Sequence, residues 1–480
     1  MLPMLVRRPR RNEPRSNERG FTMALVALML VAIISMAALS IDVGTLYEAK
    51  AEAQRAADAA ALAAARVISI SGITGDPGNA ASSWQPACGG ASSLATQAAI
   101  NVAQQNLIGG VAVASASVTV SYGASLVGDC TSLTGSGFGV NPTVTVNVQR
   151  TKLPMFFARV FSLFSSNYSG ASVSATASAE AFNPSGSSPM IPVNPRCVKP
   201  WVVPNQDPGN AGTCTTCPNL VNPATGSIQN AGTLAGNNGV IGETFNLFVD
   251  CGPSGRRRGR CILSDPSPKA NGAGGPNSLD YVPGEVLNPS IAIAANSTIS
   301  ACTDVNNNDY TKAVAGCDQS TVYACGSFQG NTVELTEDPG PPRNDSVNGA
   351  ECLINASADF LGNGQDYLAP AGPPYTYPFQ ILAGGNSALV AAGITSGSQI
   401  TSSPSIVSLP IYDSTATTIN PTGTTPVTII GFLQVFINSA DSTSGKINVT
   451  VMNVAGCSNS ATNPPVFGTS PVPVRLITPP

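Results

Sequence analysis

Histidine is absent from all 480 residues. The most common general base and the imidazole metal ligand are therefore missing. Charge is scarce too: Asp, Glu, Lys and Arg make up 10% of the chain, against about 25% in an ordinary soluble protein. No phosphate-cradling glycine loop, no dinucleotide fingerprint and no internal repeat is present. A carboxylate pair or a Ser-Lys dyad could still do chemistry, yet no signature points to either. These absences make a secreted hydrolase the least supported class, and the expectation is a non-enzymatic chain with no catalytic residue, cofactor or metal.

What fills the space is glycine (47), proline (39) and small polar residues. With 42% apolar residues the chain is not one kept unfolded by charge. The profile suits a β-rich, loop-rich surface protein. Its length allows an anchor plus two or three domains.

Charge is also unevenly placed. Arg7, Arg8, Arg10, Arg11, Arg15 and Arg19 face only Glu13 and Glu18 in the first 19 residues, which leaves the remainder acidic. A basic tail before an apolar run predicts a cytoplasmic N-terminus. The acidic remainder excludes an electrostatic case for nucleic acid. All twelve cysteines, Cys88 to Cys457, follow the apolar run. An even number beyond a membrane predicts disulfides in an oxidising compartment. Their pairing stays open, with neighbours such as Cys251/Cys261 and Cys317/Cys325 as candidates.

The apolar run, Phe21–Ile41, carries no charge and is long enough to cross a hydrocarbon core of ~30 Å as a helix. A cleaved secretory signal is the alternative, with "SMAALS" as a poor cleavage site. The pattern continues past the run. Leu46, Ala49, Ala53, Ala56, Ala60, Ala63 and Val67 fall on one helical stripe, opposite Glu48, Glu52, Arg55 and Arg66. Read backwards, the stripe passes through Asp42, Leu39, Ser35, Ala32, Leu28 and Leu25. One continuous helix of roughly 70 Å, half in lipid and half outside, is the economical reading. Its alanine seam packs on the protein's own β domain or receives another subunit's helix, and the two are compatible along different parts of the helix. Asp42 either marks the membrane boundary or docks a neighbour.

"RGFTMALVALMLVAIISMAALSIDVGTLYEAKAEAQRAADAAALAAARV" resembles the N-terminal segment of the TadE/TadG-like family of Flp (tight-adherence) pilus-assembly proteins. The resemblance rests on Arg19-Gly20, the apolar span, Asp42, Gly44, Tyr47, Gln54, Asp58 and Ala59 to Ala65. It covers about 50 residues and is specific in its ordering. "KLPMFFARVFSLFSSNYSGASVSATASAEAF" (152–182) resembles the family's second signature less closely. The resemblance implies a single-pass, minor-pilin-like protein of the bacterial inner membrane, with other pilus-assembly subunits or minor pilins as partners. It also makes Gly20–Phe21 a candidate prepilin cleavage junction. Leu25 stands where prepilins carry glutamate, which favours a retained tail and the TadG-like branch.

The expected fold class is α+β to mostly β. A cytoplasmic tail (1–19), a transmembrane helix (20–41) and an alanine-rich extension (42–69) lead into a pilin-like α+β head (70–182). A helix at Leu94–Leu107, strands at Val111–Tyr122 and Val140–Val148, a helix at Leu153–Phe164 and a strand at Ala171–Phe182 would build that head. A Pro/Ser linker (183–196) then leads to one or two disulfide-stapled β domains (197–480). Strands are expected there at Glu243–Val249, Ser290–Ala294, Ile406–Ile411, Pro426–Ile437 and Lys446–Val454, with "TPVTIIGFLQVFI" a buried central strand.

Four motifs in the sequence have a plainer reading. Cys214-x-x-Cys217 reads as a disulfide half, because zinc would need four cysteines here. "DVNNND" (304–309) lacks the glycine and the twelfth-position glutamate of a calcium loop and reads as an Asn-rich turn. "DSTAT" (413–417) resembles the metal motif of von Willebrand A domains, but the chain after it is too short for that fold. "RRRGR" (256–260) is either a contact for acidic cell-envelope polymer or a solvated loop. The leading function is a membrane-anchored component of a pilus-assembly or secretion apparatus. The alternative is a membrane-tethered adhesin or carbohydrate-binding module.

Overall fold

Glu18–Ile70 forms a single helix, α1, of 53 residues and about 80 Å. No proline interrupts it, and its outer half is built largely from alanine, the best helix former. It ends where Gly72 turns left-handed at φ 87°. A Cβ at Gly72 would stand 2.9 Å from the Met452 carbonyl oxygen, so a larger residue is excluded there.

The computed structural model describes residues 18–76, 84–133, 135–153, 155, 157, 170–186, 191–209, 218–231, 239–249, 263, 267–287, 299–303, 305, 308–318, 323–326, 331–334, 342–421, 423–460 and 463–479. Residues 1–17 of the basic tail, most of the Phe-Phe-Ala-Arg helix, Cys214/Cys217, Cys251/Cys261, "RRRGR" and Ser290–Ala294 lie outside these residues.

Around the outer half of α1 stands a mixed helix-and-strand head. Helix α2 (Leu94–Gln104) packs on one side of α1. The hairpin β1 (Leu107–Ile108) and β2 (Val111–Ala112) follows. Strands β3 (Val118–Tyr122), β4 (Thr143–Leu153) and β5 (Ala171–Ala181) form an antiparallel sheet that covers α1 from the other side. The expected strands at 140–148 and 171–182 are these last two, with the first shifted toward Leu153. Expected strand 111–122 is broken into β2, a short turn at Ser115–Ser117, and β3.

The remainder is β-rich and centres on a closed six-stranded barrel. Its strands are β6 (Trp201–Pro204), β7 (Thr244–Val249), β8 (Ser278–Pro283), β9 (Ile406–Tyr412), β10 (Ile429–Asp441) and β11 (Lys446–Gly456). They close in the order β9-β10-β11-β7-β8-β6, with β6 parallel to β9. Strand β10, the expected central strand, pairs on both sides and buries Phe432, Leu433, Val435 and Phe436. Closure removes the exposed edges that a barrel-forming sheet would otherwise present.

Two segments make contacts beyond their place in chain order. The described residues of the Pro/Ser stretch, 183–186 and 191–196, include ones bonded to the head and the barrel. Asn183 is buried and donates to the carbonyls of Thr74 (3.2 Å) and Val454 (2.9 Å). Val193–Pro195 pairs in parallel with Val466–Gly468. A polar side chain and a short ladder tie down what composition alone marks as a spacer. Nor does the region after 197 stay apart from the head: its last strand, β12 (Val474–Ile477), pairs antiparallel with β5.

Among the described residues eight cysteines pair at disulfide distance. The pairs are Cys88–Cys130, Cys197–Cys317, Cys302–Cys352 and Cys325–Cys457, with Cα separations of 5.5, 5.0, 4.8 and 6.2 Å. Cys317/Cys325 is therefore corrected. These two neighbours in sequence go to different partners, because the barrel brings residues over a hundred positions away closer. No described cysteine is free.

Candidate anchoring and assembly junction

The two halves of α1 meet different surroundings. Met23, Val26, Leu28, Met29, Val31, Ile33, Ile34, Met36 and Leu39 are all exposed. Such a length of bare apolar helix is long and apolar enough to cross a membrane, with mean hydropathy 2.7 over its best window. From Ala49 onward the helix is the centre of the head core.

The predicted seam lies mostly at that centre. Ala53, Ala56 and Ala60 are fully buried, Ala49 is nearly so, and Leu46 and Ala63 are half-buried. Ala57, Ala61, Ala64 and Ala65 are fully buried as well. The covered face is wider than one stripe because β4 and β5 lie on one side and α2 on another. In the outer half these alanines pack on the protein's own domain. Alanine permits that close approach of strands and helix.

Polar side chains on α1 fix the sheet along it. Lys50 donates to the Ser174 carbonyl, and Gln54 Nε2 donates to the Thr176 carbonyl at 3.3 Å. Lys50 and Gln54 are one helical turn apart, while Ser174 and Thr176 share one edge of β5. β12 pairs with Ala181 to Ser178, and the helix satisfies these two carbonyls farther along that edge. Gln54 also donates to Asp58 Oδ1 at 2.8 Å. Glu52 Oε2 accepts from the Gly109 N–H at 2.7 Å, holding the β1–β2 hairpin.

Asp42 sits where the bare half ends. Its side chain is 1% exposed, and its two oxygens accept from the Phe157 N–H at 3.3 and 3.1 Å. A carboxylate expected to face water, a headgroup or a partner is met instead by the protein's own backbone. Its partner comes from 115 positions away, and no local sequence signal marks it.

The far end of α1 reaches the barrel. Ser69 Oγ donates to the Val472 carbonyl, and Asn453 Nδ2 donates to the Ser69 carbonyl and Thr74 Oγ1. One helix therefore links the apolar rod, the head and the barrel.

Three buried ionisable groups went unnoticed in the sequence. Lys199 is enclosed, donates to the Gly316 carbonyl, and is pushed down to about 7 by burial. Glu243 is pushed up to about 10 by burial and by the Asp207 carboxyl hydrogen-bonded to it. Glu351 is pushed up to about 8 by burial and by Asp359, whose own carboxyl is held low by that bond. Glu351 and Asp359 line a cavity of about 740 Å³ with Ser357, Asn363 and Ser442. Both Asp359 oxygens accept from Ser442.

Among the described residues no group of three or more His, Cys, Asp or Glu is placed to hold a metal. Asn308, from the calcium-like stretch, caps the helix Asp309–Ala315 by accepting from the Tyr310 N–H at 2.8 Å. Asp413 of "DSTAT" closes a turn through Thr415.

Among the described residues these features define one candidate membrane helix that is also the spine of a folded head. Residues 20–67 match the model of the Tad family, described as Flp pilus-assembly TadE/G-like. The match spans the apolar half and the buried half together, and ties this segment to Flp pilus assembly. No curated protein and no solved structure matches the chain.

Proposed function

We propose that this protein is a membrane-anchored, non-enzymatic component of a Flp/Tad-type pilus assembly or secretion apparatus, of the TadG-like, minor-pilin-like kind. The observation that carries the reading is the single helix, bare and apolar over one half and buried in the head over the other. The bacterial inner membrane holds the bare half. Residues 1–19 stay in the cytoplasm and the head and barrel stand outside, in keeping with the arginine excess before Phe21. The stapled cysteine pairs fit that oxidising side. Within the membrane, Ala32 and Ser35 remain exposed on the inner continuation of the seam, and another subunit's helix would pack there.

Deleting the gene and counting surface pili tests this. Pili should be lost, and restored by the full chain but not by residues 42–480 exported behind a cleavable signal. Normal piliation without the gene would overturn the reading. Intact pili with lost surface attachment would favour the second reading, a membrane-tethered adhesin or carbohydrate-binding module. The polar cavity beside Asp359, with the exposed Phe360 at its wall, is the observation behind that reading.

A further inference from the structure

The exposed apolar surface does not stop at the expected boundary, Ile41. Val43 is 40% and Tyr47 74% exposed, on the first turns past Asp42. From Met23 to Tyr47 the bare face of α1 is about 37 Å long. That exceeds the ~30 Å hydrocarbon core by roughly the thickness of one headgroup layer. Asp42, the charge that would have set the boundary at Ile41, is enclosed and bonded to the Phe157 N–H. An enclosed carboxylate does not need water at its own level, and Glu48 is the first exposed charge on the helix past Asp42.

Other parts of the head reach the same level. Phe157 is 44% exposed, and its backbone is fixed to α1 at Asp42. The β1–β2 hairpin is fixed through Gly109 to Glu52, whose side chain leans back toward the helix N-terminus. Hairpin and helix enclose a small cavity of about 240 Å³ lined by Thr45, Leu46, Ala49, Gly109 and Leu153. On either side of the two-glycine turn, Leu107 is 56% and Val111 46% exposed. Two large aliphatic side chains at a hairpin tip, the aromatic Phe157 and Tyr47 thus lie near the end of the helix's apolar half. Lys50 and Lys152 are exposed nearby.

We infer that the base of the head is a membrane-contact surface: Tyr47, Phe157, Leu107 and Val111 rest in the outer headgroup layer of the bilayer that α1 crosses. Continuity with the apolar helix selects lipid as the occupant. The surface begins where the lipid-facing stripe ends, and the covalent helix holds it there. Aromatic and aliphatic side chains suit that layer, and the lysines suit anionic lipid. Seating would fix the tilt of the head and present the barrel at a set angle to the membrane.

The inference rests on the anchoring reading, and the test separates the two. Both native tryptophans, Trp84 and Trp201, are fully buried and give a low background for lipid quenching. Leu107→Trp, Phe157→Trp and Leu28→Trp are made separately in the full chain. Each is reconstituted into phosphatidylethanolamine/phosphatidylglycerol vesicles containing 6,7-dibromo-phosphatidylcholine. Leu107→Trp and Phe157→Trp should lose at least a third of their added emission to the bromolipid and resist iodide. If only Leu28→Trp is quenched, and the other two respond to iodide, the head stands clear of lipid and this inference falls alone. A surface kept for another protein subunit gives that same result in these protein-only vesicles. If Leu28→Trp is not quenched either, the anchor reading falls with it.

Discussion

Asp42 shows how one residue can be legible in position and illegible in role. The helical stripe places it at the end of the apolar run, and that is where it lies. The backbone N–H that donates to it, from Phe157, is one no local pattern connects to it. Asp42→Ala removes the acceptor and leaves that N–H without it, a loss of about 1.5–3 kcal/mol for a charged hydrogen bond. Limited proteolysis of the folded protein should then cut faster around residue 157. An unchanged cutting rate would remove Asp42 from the latch. Glu243 offers a second test. Its proton is held more tightly in the folded state, from an ordinary 4.5 up to about 10. Its contribution is full below pH 4.5 and is lost as pH rises toward 10. Melting temperature should fall between pH 5 and pH 9 more steeply in the wild type than in Glu243→Gln. Parallel pH profiles would show that the Asp207–Glu243 pair does not hold that proton.

At the scale of elements, α1 was the most legible because its signal is local. A 3.6-residue repeat fixes which residues share a face whatever packs on it. What packs there is not local, and the stripe alone left its own sheet and a second subunit both open. The sheet and α2 cover an arc wider than the stripe, so Ala57, Ala61 and Ala64 are buried beside the predicted seam. Ala53→Leu forces extra volume into this filled interface, at a cost of about 1–3 kcal/mol. The head should melt earlier by a matching amount, and a melting temperature equal to wild type would mean the face is open. Strand β10 was legible for a similar reason, as an unbroken apolar run reads as a strand covered on both faces.

For the whole molecule the sequence was a poorer guide. Composition marks 183–196 as a spacer, but it cannot register Asn183 reaching both Thr74 and Val454. Nor does it foresee β12 returning to the head sheet after the barrel is complete. Disulfide pairing follows the folded path rather than spacing, so Cys325 meets Cys457 rather than its neighbour Cys317. The resulting picture is one helix serving as candidate membrane span, head spine and contact to the barrel, which makes the head and the apolar rod mechanically one piece. Hydrogen exchange of the full chain in lipid nanodiscs tests that continuity most directly. The account predicts unbroken slow exchange of α1 amides from Thr22 to Ile70, including Val43 to Tyr47. A fast-exchanging break at Val43–Tyr47, with the two halves protected independently, would contradict it.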